Sequence, residues 1–272
     1  MDREWKRYEG TPQRDLFRVL RERFVSRYPT DGGWVLDVGC GPGRFLPGLG
    51  GPRARAAGLD LSTEMLRAAR HRLRGDRAST GLFLGDARFP PVRRESLGLV
   101  AVLGNTIGFA GPQAAEVVAQ AAALVRPGGF LLLETAPGPG ERSRYLARLP
   151  PGAVRRLLSA PLNLVRARIE REGFALEARP TPRSGFQRVG PDLLRRSLAS
   201  QGFTVREMTA VAPCLGADAT RVAAVQPDGT AWRRLLEVEE AIGRSPARLA
   251  PASALLVAAE RTGRRSVAAV DG

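Results

Sequence analysis

Between residues 34 and 135 the chain alternates runs that are apolar throughout with segments of helical character, and that alternation restricts the fold more than any other feature. The runs are 34–39, 55–61, 82–86, 97–103 and 130–135. A strand that is apolar on both faces has no solvent side, so it belongs in a parallel sheet covered by helices on both faces. The connecting segments carry helix punctuation. Ser62 precedes a segment running to about Arg74 with Glu64 in its first turn, which is N-cap chemistry. The segment 112–125 opens at Pro112 and stops before Pro127-Gly128-Gly129. A helix is also expected from about Arg44. Upstream, Leu16, Leu20, Phe24 and Tyr28 recur four residues apart within 14–28, an amphipathic helix ended by Pro29. The expected fold class is α/β, a doubly wound sheet.

The rhythm changes after Thr135. Residues 141–172 read as helical with Pro150, Pro151 and Pro161 interrupting, and 174–179 with 185–189 read as a strand pair. A helix from Pro191, a strand at 202–208, a helix at 231–243 and a strand at 254–259 follow. The stretch 137–190 therefore reads as an insertion between the fifth strand and the next helix.

Composition narrows the function. The chain has 272 residues with 42 basic and 27 acidic side chains, a net charge of +15. Its length supports a sizeable core without disulfide or metal staples. Two cysteines, Cys40 and Cys214, and one histidine, His71, leave no zinc-finger grid, and no metal is expected. No run reaches the ~18 apolar residues of a membrane helix. The charged start lacks an apolar leader segment, so a cytoplasmic location with reduced cysteines is expected. Every basic residue except Lys6 is arginine. Residues 137–200 hold 13 arginines against 5 acids, about half of the net charge. Arginine suits a phosphate-binding surface. Coding bias explains the absence of lysine everywhere else better, because a functional face has no need to exclude lysine from the rest of the chain.

The strongest local signal is Asp37-Val38-Gly39-Cys40-Gly41-Pro42-Gly43, at the turn out of the first strand. Glycines there permit a tight turn and close approach of the backbone to a ligand. Ligands bind outside the carboxyl ends of parallel strands in such sheets. No Gly-x-x-x-x-Gly-Lys-Ser/Thr run exists, which excludes a P-loop. The dinucleotide spacing Gly-x-Gly-x-x-Gly fails too, since its third glycine falls on Arg44 or Leu46. An acid two residues before the first glycine suits a ligand with a cationic end, not a pyrophosphate.

These residues resemble the first motif of the class I S-adenosylmethionine-dependent methyltransferases, through Val35-Leu36-Asp37-Val38-Gly39-Cys40-Gly41-Pro42-Gly43-Arg44-Phe45. The resemblance continues in order through 58–66, Gly85-Asp86-Ala87, 124–134, 202–205 and 255–261. Within the family it is most similar to single-domain small-molecule enzymes of the ubiquinone and menaquinone methyltransferase group. It implies a Rossmann-like, seven-stranded, mostly parallel sheet. The implied organisation is an N-terminal helical lid at 1–33 and a cofactor-binding core at 34–136. An inserted cap or substrate region follows at 137–190, then the rest of the core at 191–262; a disordered tail at 263–272 is expected from its terminal position.

The resemblance also implies roles. Asp37 orients the methionine amino group, and Gly39, Cys40, Gly41 and Gly43 bring the backbone against methionine and ribose. Asp60, 23 residues after Asp37, accepts the ribose hydroxyls. Leu61 and Met65 pack on the adenine, Asp86 accepts its exocyclic amine beside the Ala87 backbone, and Asn105 lies near the reacting methyl. Methyl transfer from a sulfonium is an in-line displacement dominated by positioning, so no catalytic dyad is required. His71 reads as a solvated face residue. The acceptor is expected to be a small organic molecule lined by Tyr8, Asn105, Tyr145 and Phe186. RNA bound on the basic 137–200 face, or a non-catalytic module that binds the cofactor, are the alternatives. No Asn/Asp-Pro-Pro-Tyr/Phe follows the fourth strand, where the chain has Gly104-Asn105-Thr106-Ile107-Gly108-Phe109. Pro213-Cys214 lies after a later strand than RNA base methylation uses.

Overall fold

The computed structural model describes residues 11–74, 80–176, 186–216, 218–226 and 229–262. In chain order the first half contains α1 (Pro12–Val25), β1 (Gly33–Val38), β2 (Ala54–Asp60), α2 (Thr63–Arg72), β3 (Thr80–Leu84), β4 (Leu97–Val102), α3 (Thr106–Phe109), α4 (Ala114–Leu124) and β5 (Val125–Thr135). The second half contains β6 (Glu141–Ser143), α5 (Arg144–Arg148), α6 (Pro151–Leu157), α7 (Leu162–Glu172), β7 (Phe174–Leu176), α8 (Pro191–Ser200), β8 (Phe203–Ala210), α9 (Ala219–Val225), α10 (Gly229–Gly243), α11 (Pro246–Leu249) and β9 (Leu255–Arg261).

Seven strands form one sheet in the order β3-β2-β1-β4-β5-β9-β8. β1 pairs in parallel with both β2 and β4, and β2–β3 and β4–β5 are parallel too. The Thr262 N–H donates to Gly202 O, while the Val211 N–H donates to Ala254 O, so β9 runs antiparallel to β8. The same exchange of ends relates β9 to β5, through Arg261 on Val125 O and the Gly138 N–H on Ala252 O. The sheet is thus mostly parallel, as the sequence predicts. Every residue of β4 is buried, and so are the last four of β1. From β1 the chain winds outward to β2 and β3, then returns to place β4 on the other flank of β1. That reversal is the topological switch point where ligands bind in open α/β sheets.

Local chemistry explains the elements and the departures. Ser62 caps α2, its Oγ accepting the Met65 N–H at 3.3 Å. The helix expected from Arg44 is a single 3₁₀ turn at Leu46–Gly48, because Pro47, Gly48, Gly50 and Gly51 oppose propagation. β5 begins at Val125, earlier than expected, and its pairing with β4 shifts register between Leu97 and Leu99. β7 takes β6 as its antiparallel partner in a separate two-stranded sheet, whereas the sequence reading paired it with 185–189. Residues 141–143, expected to be helical, are extended because they pair with β7, and α5 starts only after Ser143, whose Oγ accepts the Leu146 N–H at 3.2 Å. Residues 186–189 carry no strand, and 177–179 lie outside the described residues.

The chain divides into two compact units. One joins the stretch up to Arg27 with Glu134–Pro191 and Met208–Leu256; the other joins Tyr28–Leu133, Asp192–Glu207 and the stretch from Val257 on. The region read as a cap, 137–190, falls in the first unit and shares it with α1 and with 208–256. Within that unit α1 buries Leu16, Leu20, Phe24 and Val25. On the same helix Arg21 makes a two-point pair with Glu134, Nε to Oε2 at 2.8 Å and Nη2 to Oε1 at 2.6 Å. No described helix is long and apolar enough to cross a membrane.

Candidate functional site

The cofactor residues read from the sequence fall at or just after the carboxyl ends of β1, β2, β3 and β4, all within the second unit. Register places them. Asp37 pairs across to Gly58 on one side and Ala101 on the other. Asp60 ends β2 opposite Leu84, Asp86 lies two residues past β3, and Asn105 lies three past β4.

Asp37 is 1% exposed, and neither carboxylate oxygen has a hydrogen-bond partner. Burial, with the nearby Asp60 charge adding to it, pushes its pKa up to about 8. A buried, unpartnered carboxylate is costly, so a site that keeps one is built for a cationic partner. Asp60 differs. Its Oδ2 accepts the Gly41 N–H at 2.7 Å and its Oδ1 the Ser62 N–H at 2.9 Å. A carboxylate offers about four lone-pair sites, so each oxygen retains one for a ligand hydroxyl.

The glycine loop is shaped by close packing on one side and open space on the other. Gly39, Gly41 and Gly43 all have positive φ. A Cβ at Gly39 would fall on the side chain of Thr106, and one at Gly43 would lie 3.1 Å from the Ala69 Cβ. At Gly41 nothing lies within 4 Å, so this glycine floors an open space. The N–H groups of Gly39 and Cys40 both donate to Leu59 O, and that of Gly43 to Cys40 O. The loop therefore offers a ligand shape and carbonyl oxygens more than free N–H donors. Cys40 is buried, and a Cβ on Gly58 would collide with its Sγ, so the thiol packs toward β2 and only its backbone remains for a ligand. Gly39→Ala is expected to lower stability by about 1–2 kcal/mol from the left-handed backbone alone. Urea denaturation measures that loss.

Asn105 sits at φ 65°, an uncommon conformation for a residue with a side chain, at the cap position of α3. Its Oδ1 is also buried without a partner. Thr106 Oγ1 lies 2.7 Å from Leu103 O and 3.3 Å from Gly39 O, tying the turn after β4 to the glycine loop. Sequence reading gave Thr106 no such role, although a glycine at 39 opposite a branched side chain is the mark of that contact. Leu61 is 74% exposed next to Asp60, an apolar side chain without cover, and Met65 is half-buried on α2.

Asp86 is occupied locally. Arg88 grips its carboxylate through Nε and Nη2, and the Arg88 N–H donates to Oδ1 at 2.9 Å. Those hydrogen bonds from Arg88 hold its carboxyl below the usual range. Arg88, two residues on, was the signal that sequence reading passed over. Ala87 is half-buried beside this turn, and His71 is exposed on α2. Tyr145 and Phe186 belong to the first unit, where Arg168 donates to the Tyr145 hydroxyl at 3.2 Å. Tyr8 lies outside the described residues. No group of three or more potential metal ligands occurs among the described residues.

Comparison with known proteins gives this geometry a family. Residues 35–129 match a methyltransferase domain family. A ubiquinone biosynthesis O-methyltransferase of Thiobacillus denitrificans is 35% identical over 121 residues, 43% of this chain and 50% of that protein. Residues 35–129 are a methyltransferase domain. A trans-aconitate 2-methyltransferase of an Azoarcus species is 32% identical over 139 residues, 50% of this chain and 51% of that protein. The chain thus spans about half the length of the curated relatives it matches. A geranyl diphosphate C-methyltransferase of Streptomyces coelicolor, solved with S-adenosylhomocysteine, shares the fold at a TM-score of 0.52 and 14% identity, covering 90% of this chain and 80% of that one.

The open groups at these strand ends fit S-adenosylmethionine as a ligand. Asp37 and Asn105 present buried acceptor oxygens without partners, and Asp60 keeps free lone pairs. Such a set suits a ligand carrying an ammonium, a sulfonium and a ribose diol, and it repels phosphate.

Proposed function

We propose that the chain transfers a methyl group from S-adenosylmethionine to a small, anionic organic acceptor. The observation that carries the cofactor half is the buried Asp37 carboxyl group without a partner, near the carboxyl end of β1. In this reading Asp37 holds the cofactor ammonium, Asp60 the ribose hydroxyls, and Gly41 leaves the space for the chain between them. Leu61 and Met65 cover the adenine, and Ala87 lies beside it. Asp86 reaches the exocyclic amine only by sharing its Arg88 partner. Asn105 Oδ1 meets a donor near the reacting carbon. The cofactor supplies a methyl group on positive sulfur, whose displacement needs alignment more than covalent help. Tyr145 and Phe186 serve the acceptor, with Tyr8 a further candidate. An anionic acceptor is supported by the arginine excess of 137–200 and by relatives whose names specify trans-aconitate and geranyl diphosphate.

The test is S-adenosylhomocysteine formation by the purified chain against a panel of small carboxylates, phosphates and phenols. The reading predicts release that requires one anionic member of the panel. Cofactor binding without turnover on any member supports a non-catalytic module instead. RNA is the second reading, favoured by the exposed Arg142, Arg144, Arg155 and Arg156 of β6, α5 and α6. It predicts RNA affinity that falls steeply between about 50 and 200 mM salt. No RNA binding at low salt removes it.

A further inference from the structure

A cavity of about 220 Å³ lies within the first unit, lined by Glu170, Gly173, Phe174, Ile242, Ser245 and Arg248. None of these residues belongs to the cofactor site. We propose that this cavity is a second ligand site, which binds a small oxyanion, a carboxylate or phosphate monoester, through Arg248 and Ser245.

Arg248 is held for the task. Its Nη1 donates to Glu141 Oε2 at 2.7 Å, and its guanidinium lies 4.1 Å from the centre of the Phe174 ring. The Arg248 side chain is 20% exposed and that of Glu141 5%. Glu141 does not line the cavity, so it fixes the guanidinium without filling the space. A guanidinium has five N–H groups in a rigid fork, and Nε and Nη2 make no hydrogen bond with the described residues. Those are the atoms that grip a carboxylate or phosphate at two points. Ser245 adds a hydroxyl that forms no side-chain cap on α11. Phe174, Ile242 and Gly173 give the ligand body an apolar wall.

A cation fits less well. The face of Phe174 is already covered by Arg248. Glu170, the one acid on the lining, is paired with Arg166, Nε to Oε1 at 2.8 Å. Because the proposal involves no methyl transfer, it stands or falls separately from the function proposed above.

The experiment is thermal-shift and calorimetric titration of the full chain with inorganic phosphate and, separately, glutarate, in saturating S-adenosylhomocysteine. Saturable binding is expected for at least one probe, raising the melting temperature through ligand linkage. The two arms identify whether phosphate or carboxylate is preferred. Arg248→Gln is expected to weaken it at least about tenfold, as loss of a two-point contact requires. Since that change takes a partner from Glu141, the double variant Glu141→Gln with Arg248→Gln serves as a second test and must show the same loss. Ser245→Ala is expected to weaken binding several-fold with an unchanged melting temperature. Absence of saturable binding by either probe, or equal binding by wild type and both Arg248 variants, overturns the proposal. Retained S-adenosylhomocysteine binding in the same samples keeps that outcome separate from the cofactor assignment.

Discussion

Asp37→Asn is expected to raise the dissociation constant for S-adenosylmethionine roughly 10- to 100-fold, the scale of a hydrogen bond to a charged group. The same change is expected to stabilise the free chain above neutral pH. Folding lifts the Asp37 pKa to about 8, from about 3.9 in an unfolded chain. Between those values the folded chain holds a proton that the unfolded chain has lost. Its stability therefore falls as pH rises through that window and levels off above about 8. Asparagine does not titrate, so the variant escapes that loss. Each kcal/mol recovered raises the melting temperature by about 2–4 °C in a chain of this size. Binding carries the opposite sign. A cationic ligand takes the ionised carboxylate, so binding to wild type releases a proton and tightens about tenfold from pH 6 to 7. The variant is expected to show no such slope. Calorimetry at both pH values, with a melting scan at pH 8.5, checks all three outcomes. A destabilised variant with unchanged affinity would instead make Asp37 a structural group.

The second large effect concerns Arg21. Glu134 is fully buried at the end of β5, and the Arg21 side chain is 16% exposed. Replacing Arg21 by alanine leaves a buried carboxylate without its two-point partner, a loss of about 3–5 kcal/mol. Arg21→Met combined with Glu134→Leu removes both charges while keeping volume, and is expected to recover most of that stability. Urea denaturation of the wild type, the single variant and the double variant measures the effect. If the single variant is as stable as wild type, α1 is held by its apolar face alone; if the single and double variants are equally unstable, the loss does not come from the stranded charge. The sequence does not disclose this pair, because it spans 113 positions and nothing local marks Arg21 among its arginine neighbours.

The sheet was legible because β4, the second half of β5, and residues 35–36 of β1 and 56–59 of β2 are apolar without alternation, a pattern that suits a doubly covered parallel sheet. The glycine loop was legible because its conformation needs Gly39, Gly41 and Gly43 in sequence. What escaped depends on partners far along the chain. The isolation of Asp37 arises from β2 and β4 flanking β1, which no window of sequence contains. The pairing of β6 with β7 unites residues more than thirty positions apart, so a nearer partner looked adequate. The Arg88 grip on Asp86 was visible two residues away, yet motif register drew attention to the acid alone. The helix expected at Arg44 failed against Pro47 and Gly48, which were in plain view.

The most direct measurement is calorimetric titration of S-adenosylmethionine into wild type and Asp60→Ala, with circular dichroism confirming that both are folded. The site described here predicts saturable binding to wild type and an affinity at least about 100-fold weaker in the variant, since two charge-assisted hydrogen bonds are lost. Equal affinity in both folded proteins would contradict the assignment of this crevice to the cofactor.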